Sequence, residues 1–287
     1  MKKDIFNLFE NVIIEKKLNL INRLNQYFKY KMTSIPKFLK LKDYITLSGT
    51  TMGLLALICA VIGTRYFISL GFFFVAISLG TDLLDGYVAR KTGTVNKFGI
   101  ELDSLSDSLT FGIAPSVLAF QAFKTGGPFD IILIIGCVCF ALGAILRLAR
   151  FNITTEDTPG YVGVPTPLSA LLLIGFYGAN YFYAFGLGGI DYPFPEVSVY
   201  VIPFLLILIG WFNITTHIRF GEKGKKVYII VLIIAPLGPI FAIIGVMNPD
   251  FTVSMTISII FLGGFFLLLI FIISGFFNKP KQVKNSN

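Results

Sequence analysis

The chain has 287 residues, 55% of them hydrophobic and only 14% charged, with 30 phenylalanines and a formal net charge of +8. So few charges would leave too little polar surface for a soluble domain of this length, which excludes a water-soluble enzyme and marks an integral membrane protein. The positive balance then speaks for orientation and contact with anionic membrane lipids, with no nucleic acid as a partner.

Residues 1–38 form a basic juxtamembrane segment. Phe6, Phe9, Ile13, Leu20, Leu24 and Phe28 recur at three-, four- and seven-residue steps, the spacing of amphipathic helix lying on a membrane surface. Glu15, Lys16, Lys17 and Arg23 interrupt the apolar residues before a run of membrane length develops, so no signal peptide is expected. Pro36 marks the break before the first span.

Apolar runs of spanning length follow at 42–64, 67–90, 98–121, 129–152, 164–187, 197–219, 227–247 and 252–276. An all-α polytopic protein of about eight transmembrane helices is expected. Its six-helix core would cover 39–220 and two accessory helices 221–277, before a polar, disordered tail at 278–287. Cys59, Cys137 and Cys139 lie inside apolar runs and suit packing; Cys-x-Cys is too tight for the usual zinc spacing. Of the 24 Lys and Arg, 22 fall in 1–42, 90–97, 147–150, 219–226 and 279–284, leaving only Arg65 and Lys124 in the alternate loops. The positive-inside rule puts both termini and the 91–97 turn in the cytoplasm.

One stretch sets carboxylates deep in apolar sequence: Asp82, Asp85, Gly86, Ala89 and Arg90, then Gly99, Asp103 and Asp107. Spacings of three and four put each aspartate pair on one face of its helix. If the two helices are antiparallel and joined at 91–97, the pairs come level, roughly 6 to 12 Å inside the membrane edge at about 1.5 Å per residue. Four anions there repel one another and cost several kcal/mol each unless compensated, and divalent cations are the natural compensation. An all-oxygen donor set favours Mg²⁺ or Mn²⁺, and four carboxylates suit two ions bridged by a phosphate.

The pattern D-x2-D-G-x2-A-R-x8-G-x3-D-x3-D, met at every fixed position, resembles the signature of the CDP-alcohol phosphatidyltransferases. That resemblance implies Asp82, Asp85 and Asp103 as metal ligands on the diphosphate of a CDP-linked lipid. It implies Asp107 as the base that activates the incoming alcohol, and as a further ligand. It also implies a homodimer, and the charge asymmetry turns the site toward the cytoplasmic side of the cell membrane. Gly86 and Gly99 would let ligand approach beside the carboxylates. Arg90 and Lys97 stand where a diphosphate needs positive charge, although both also suit positive-inside anchoring. Asp43 and Thr46, at the rim of the first span, occupy the family's cytidine pocket, while a rim carboxylate is equally suited to solvation. Gly49 and Gly53 fit helix packing.

The fourth span ends Arg147-Leu-Ala-Arg150-Phe-Asn152 and the fifth opens Gly163-Val164-Pro165-Thr166-Pro167. These blocks resemble those of the phosphatidylserine synthase branch, with Val164 and Thr166 as departures. A guanidinium from Arg147 or Arg150 can clasp the carboxylate of L-serine in bidentate fashion, though both arginines could also snorkel. The implied reaction moves a phosphatidyl-type group from CDP-diacylglycerol or CDP-archaeol to serine. Glycerol phosphate or inositol phosphate is the alternative acceptor, and a divalent-cation transporter the alternative of another class, since intramembrane carboxylates also mark ion paths. Asn152 and Asn213 match glycosylation patterns by chance, and His217 receives no role.

The charge asymmetry yields a topology test. Reporter fusions at Lys284 and within 91–97 are expected to report the cytoplasm; an external 91–97 turn would separate the aspartates from cytosolic substrates and end the catalytic reading.

Overall fold

The computed structural model describes residues 15–25, 35–94, 96–153, 161–220 and 236–277. The periodic positions Phe6, Phe9, Ile13 and Phe28 and the polar tail lie outside them. Residues 1–40 and 41–287 are two compact units. In the first, 15–25 is helical and Ile35–Lys37 forms a 3₁₀ turn.

Among its described residues, the regular structure of the second unit is helical apart from one short strand pair. Its elements are α1 (Leu41–Ile62), α2 (Arg65–Thr92), α3 (Lys97–Asp107), a π-helical turn (Ser108–Ile113), α4 (Ala114–Phe123), α5 (Asp130–Ile153), α6 (Thr166–Gly188), α7 (Glu196–Ile214), α8 (Leu237–Met247) and α9 (Phe251–Ser274). Between α5 and α6, β1 (Tyr161–Val162) pairs antiparallel with β2 (Arg219–Phe220). Among the described residues six helices are long and apolar enough to cross a membrane. Those six leave out two of the eight expected spans. The third run is helical from Lys97 to Phe123 but divided by the π turn, and the seventh is described only over the eleven residues of α8.

Local chemistry sets the helix ends. Thr64 caps α2 by accepting from the Phe67 amide at 3.4 Å, and Gly93 closes it in the left-handed region at φ 61°. Asn96 then starts α3, its side chain accepting from the Gly99 amide at 2.6 Å. At 28 residues α2 is about 42 Å long, more than the ~30 Å hydrocarbon layer, so its last turn, with Arg90 and Lys91, reaches headgroup depth.

α6 is the central post, buried along almost its whole length. Phe72 of α2 stacks on Tyr177 at a centroid distance of 4.1 Å, and Ser258 of α9 donates to the Ala179 carbonyl at 2.7 Å. The outward faces carry exposed Leu54, Ile58, Ile134, Val138, Phe204, Leu208, Phe266 and Ile270, as a lipid-facing surface requires.

Because lipid is as apolar as leucine, close backbone approach rather than hydrophobic burial holds such helices together. At the α5–α7 crossing a Cβ on Gly143 would strike the Gly210 carbonyl, and one on Gly210 the Cys139 carbonyl. Gly143→Ala and Gly210→Ala are therefore expected to cost about 1–3 kcal/mol by overpacking, seen as lower midpoints of thermal unfolding in detergent. Gly263→Ala, which meets nothing within 4 Å, should leave the midpoint unchanged or raise it.

Candidate active site

The aspartates meet where α1, α2 and α3 converge. Asp82 and Asp85 project from the last third of α2, Asp103 and Asp107 from α3. One carboxylate oxygen each from Asp82, Asp85 and Asp103 lie mutually within 4.8 Å. Asp107 joins Asp82 and Asp85 in lining a small recess with Thr46, Ser106 and Thr110. Three converging carboxylates with no sulfur or imidazole among them fit a hard divalent ion such as Mg²⁺ or Mn²⁺, and among the described residues they are the one group that could hold a metal.

α1 supplies the opposing wall because its glycines let it come close. A Cβ on Gly49 would strike the Thr81 hydroxyl and one on Gly53 the Thr110 hydroxyl. That proximity lets the Thr46 hydroxyl donate to Asp85 Oδ2 at 2.6 Å and Thr50 donate to Ser106 at 2.7 Å. Asp43, fully buried, pairs with the Lys42 ammonium at 3.0 Å. The Lys42 charge also acts on Asp85 and Asp103.

Gly99 packs directly under this pair: a Cβ there would run into the Lys42 ammonium and lie 2.6 Å from Asp43 Oδ1. Gly86 sits beneath the Arg90 guanidinium, 3.4 Å from the place a Cβ would take. Arg90 and Lys97 are both exposed at the rim.

The two arginines of α5 have different surroundings. Arg147 is buried, donates to the Thr166 hydroxyl at 3.3 Å, and its charge reaches Asp82 and Asp107. Thr166 supplies the hydroxyl that a serine at that place would, which makes this departure from the resembled block conservative. Arg150 instead donates to the carbonyls of Ile214 at 2.7 Å, Val162 at 2.9 Å and Asn213 at 3.3 Å. It clamps the end of α7 to β1.

Two contributors escaped the sequence reading. Lys42 was passed over beside Asp43, although it stands one turn before Thr46 on the same helix face. Asn152 matched only a chance pattern, yet its amide donates to Glu101 at 3.1 Å and its carbonyl accepts from Ser104 at 2.9 Å, tying the end of α5 to the aspartate helix. Its place at the end of the Arg147–Asn152 block was the available signal.

These features define a polytopic α-helical membrane protein with an acidic site sunk at one end of its bundle. A family model described as CDP-alcohol phosphatidyltransferase matches residues 40–262, so the chain belongs to that family and is an enzyme of that class. The match runs beyond residue 220, the expected end of the six-helix core, into α9. Similar proteins include a CDP-diacylglycerol–serine O-phosphatidyltransferase of Methanocaldococcus jannaschii, 34% identical over 78% of this chain and 92% of the relative. One of the same description from Helicobacter pylori is 31% identical over 84% and 95%. An archaetidylserine synthase of Methanothermobacter thermautotrophicus is 32% identical over 52% and 62%.

The contact under Gly99 is directly testable. Gly99→Ala is expected to displace the Lys42–Asp43 pair or lift α3 from α1, lowering CMP release at least about tenfold, a loss of about 1.4 kcal/mol in transition-state stabilisation. Gly80→Ala, which meets nothing within 4 Å, should retain activity close to the parent's.

Proposed function

We propose that this enzyme transfers a phosphatidyl-type group from a CDP-activated lipid, of the diacylglycerol or archaeol kind, to the hydroxyl of L-serine, releasing CMP. The observation that carries the serine assignment is the buried guanidinium of Arg147, whose charge reaches Asp82 and Asp107. It lies within the block that resembles serine-transferring relatives, and two such relatives match this chain over most of its length.

Asp82, Asp85 and Asp103 would hold the divalent ions, Mg²⁺ or Mn²⁺, two at a full site. When bound, these supply positive charge to the diphosphate and to the phosphate leaving with CMP. Thr46 fixes the Asp85 carboxylate through its hydroxyl, so that ligand is preset before the lipid arrives. The Lys42–Asp43 pair and Arg90 border the end where the nucleotide would sit. Arg147 holds the serine carboxylate by a bidentate contact, directing the serine hydroxyl toward Asp107. Asp107 accepts the hydroxyl proton as the serine oxygen bonds to the lipid-bearing phosphorus and the bond from that phosphorus to the CMP oxygen breaks. Arg150, occupied by three carbonyls, serves by holding α5 and α7 in place. The reading includes a cytoplasm-facing site in the cell membrane and a homodimer, supported by the basic-residue asymmetry and the family resemblance.

The aspartates should fail in different ways. Asp82→Asn, Asp85→Asn and Asp103→Asn are each expected to weaken metal-dependent CDP-lipid binding and nearly abolish turnover. Asp107→Asn should keep most of that affinity and lose on the order of 10² to 10⁴ in kcat, the contribution of a positioned base. Binding measured beside CMP release separates the two; normal turnover by Asp107→Asn would move the base elsewhere.

Arg147→Lys removes the bidentate geometry and keeps the charge. It is expected to raise KM for serine about ten- to a hundredfold, or ~1.5–3 kcal/mol, with CDP-lipid KM little changed. Unaltered serine kinetics, or a parent enzyme that prefers a phosphorylated alcohol, would overturn the serine assignment.

A further inference from the structure

A second cavity lies at the other end of the molecule, between α2, α6, α8 and α9. Its volume is about 340 Å³ and its lining includes Tyr66, Phe73 and Ala76 of α2, Gly178 of α6, Ala242 of α8 and Phe261 of α9. That is more than twice the ~150 Å³ engineered cavity known to stay dry and take up benzene. An apolar space of this size inside a bilayer is filled by hydrocarbon, since water finds no partners there and a void forfeits packing on every side.

The cavity is separate from the aspartate site. At roughly 100° per residue, the α2 positions that line it, 66, 69, 70, 72, 73 and 76, centre on the side of the helix opposite Asp82 and Asp85. From Tyr66 to Ala76 it runs about 15 Å along α2, half the ~30 Å hydrocarbon thickness, and so the depth of one leaflet. Its outer end lies at the N-terminus of α2, away from the acidic end.

A guanidinium stands beside that outer end, on the residue before the lining Tyr66. Arg65 donates to the Tyr192 carbonyl at 3.1 Å and lies 4.0 Å over the Phe194 ring, and among the described residues it makes no ion pair. One carbonyl leaves further guanidinium donors for an anion. The hydroxyls of Ser69 and Tyr177, 2.6 Å apart, and the ring of Tyr66 add the amphipathic groups usual at headgroup depth. Arg65 is one of two basic residues outside the five basic segments, so charge sorting does not account for it.

We infer that this cavity binds a phospholipid of the leaflet opposite the aspartates, one hydrocarbon chain filling the space between α2 and α8 and the phosphate resting on Arg65. The site requires no CDP group and holds a resident lipid rather than the reacting one.

The test uses the full-length protein in vesicles of phosphatidylcholine and phosphatidylglycerol, with a phosphatidylglycerol probe bearing a diazirine at the end of one chain. After irradiation, peptides containing Phe73–Ala76, Gly178 and Ala242 are expected to carry at least fivefold more label than the lipid-facing surface of α5 around Val138 and Leu142. Ala242→Phe, which fills the cavity, should remove most of that excess. Arg65→Gln should lower labelling by this probe but not by a diacylglycerol probe with the same chains. Equal labelling of cavity and α5 in the parent protein overturns the proposal. The parent comparison stands even if a variant does not fold. Loss of CMP release with lipid labelling intact would count against the transferase reading alone.

Discussion

Every part of this fold answers to the expense of keeping four carboxylates within the thickness of a membrane. No single helix can supply the compensation, because neighbouring side chains on one helix face are too few and too similar in charge. The bundle therefore brings α1 against α2 and α3 at glycine contacts, so that a threonine hydroxyl and a buried lysine reach the carboxylates from a different element. Arg147 adds a cation from α5. What remains of the negative charge is what would suit the place to a divalent ion.

The same economy of polar groups explains the division of labour along the bundle. Near the acidic end, helices are linked by hydrogen bonds such as Thr50 to Ser106 and Asn152 to Glu101. Across the middle and far end, close backbone crossings and stacked rings, such as Phe72 on Tyr177 and Phe182 on Phe261, join hydrogen bonds such as Ser258 to the Ala179 carbonyl. A hydrogen bond placed in the apolar part adds little, since unfolded segments within lipid also find partners, whereas tight packing has no substitute there. Arg150, in the last turn of α5, donates to carbonyls of β1 and of the end of α7.

Much of this was written legibly in the chain. Helical membrane architecture followed from composition, and the helix faces carrying Asp82, Asp85, Asp103 and Asp107 followed from spacing, because both depend on local periodicity. Relations across helices were harder to read. Nothing local distinguishes Arg147 from Arg150, three residues apart in one block; only the packing of α5 sends one toward the aspartates and the other to backbone carbonyls. Lys42 does not stand out among the basic residues of 1–42 because Gly99, which packs beneath it, is 57 positions away. The π turn was invisible for a related reason: apolar hydropathy continues through Ser108–Ile113, and a change of helical phase leaves no mark in a hydropathy average.

That turn has a bearing beyond this molecule. A π turn takes up an extra residue, delaying the phase of everything after it by close to 100° relative to an unbroken α-helix. The face of α3 that presents Asp103 and Asp107 and the face of α4 that buries Leu118, Ala119 and Phe123 are therefore set independently, though both belong to one continuous rod. Anyone transplanting the acidic site into a designed bundle would have to carry the phase slip together with the aspartates. With an ideal helix in its place, either the carboxylates or the packing surface would face the wrong neighbour.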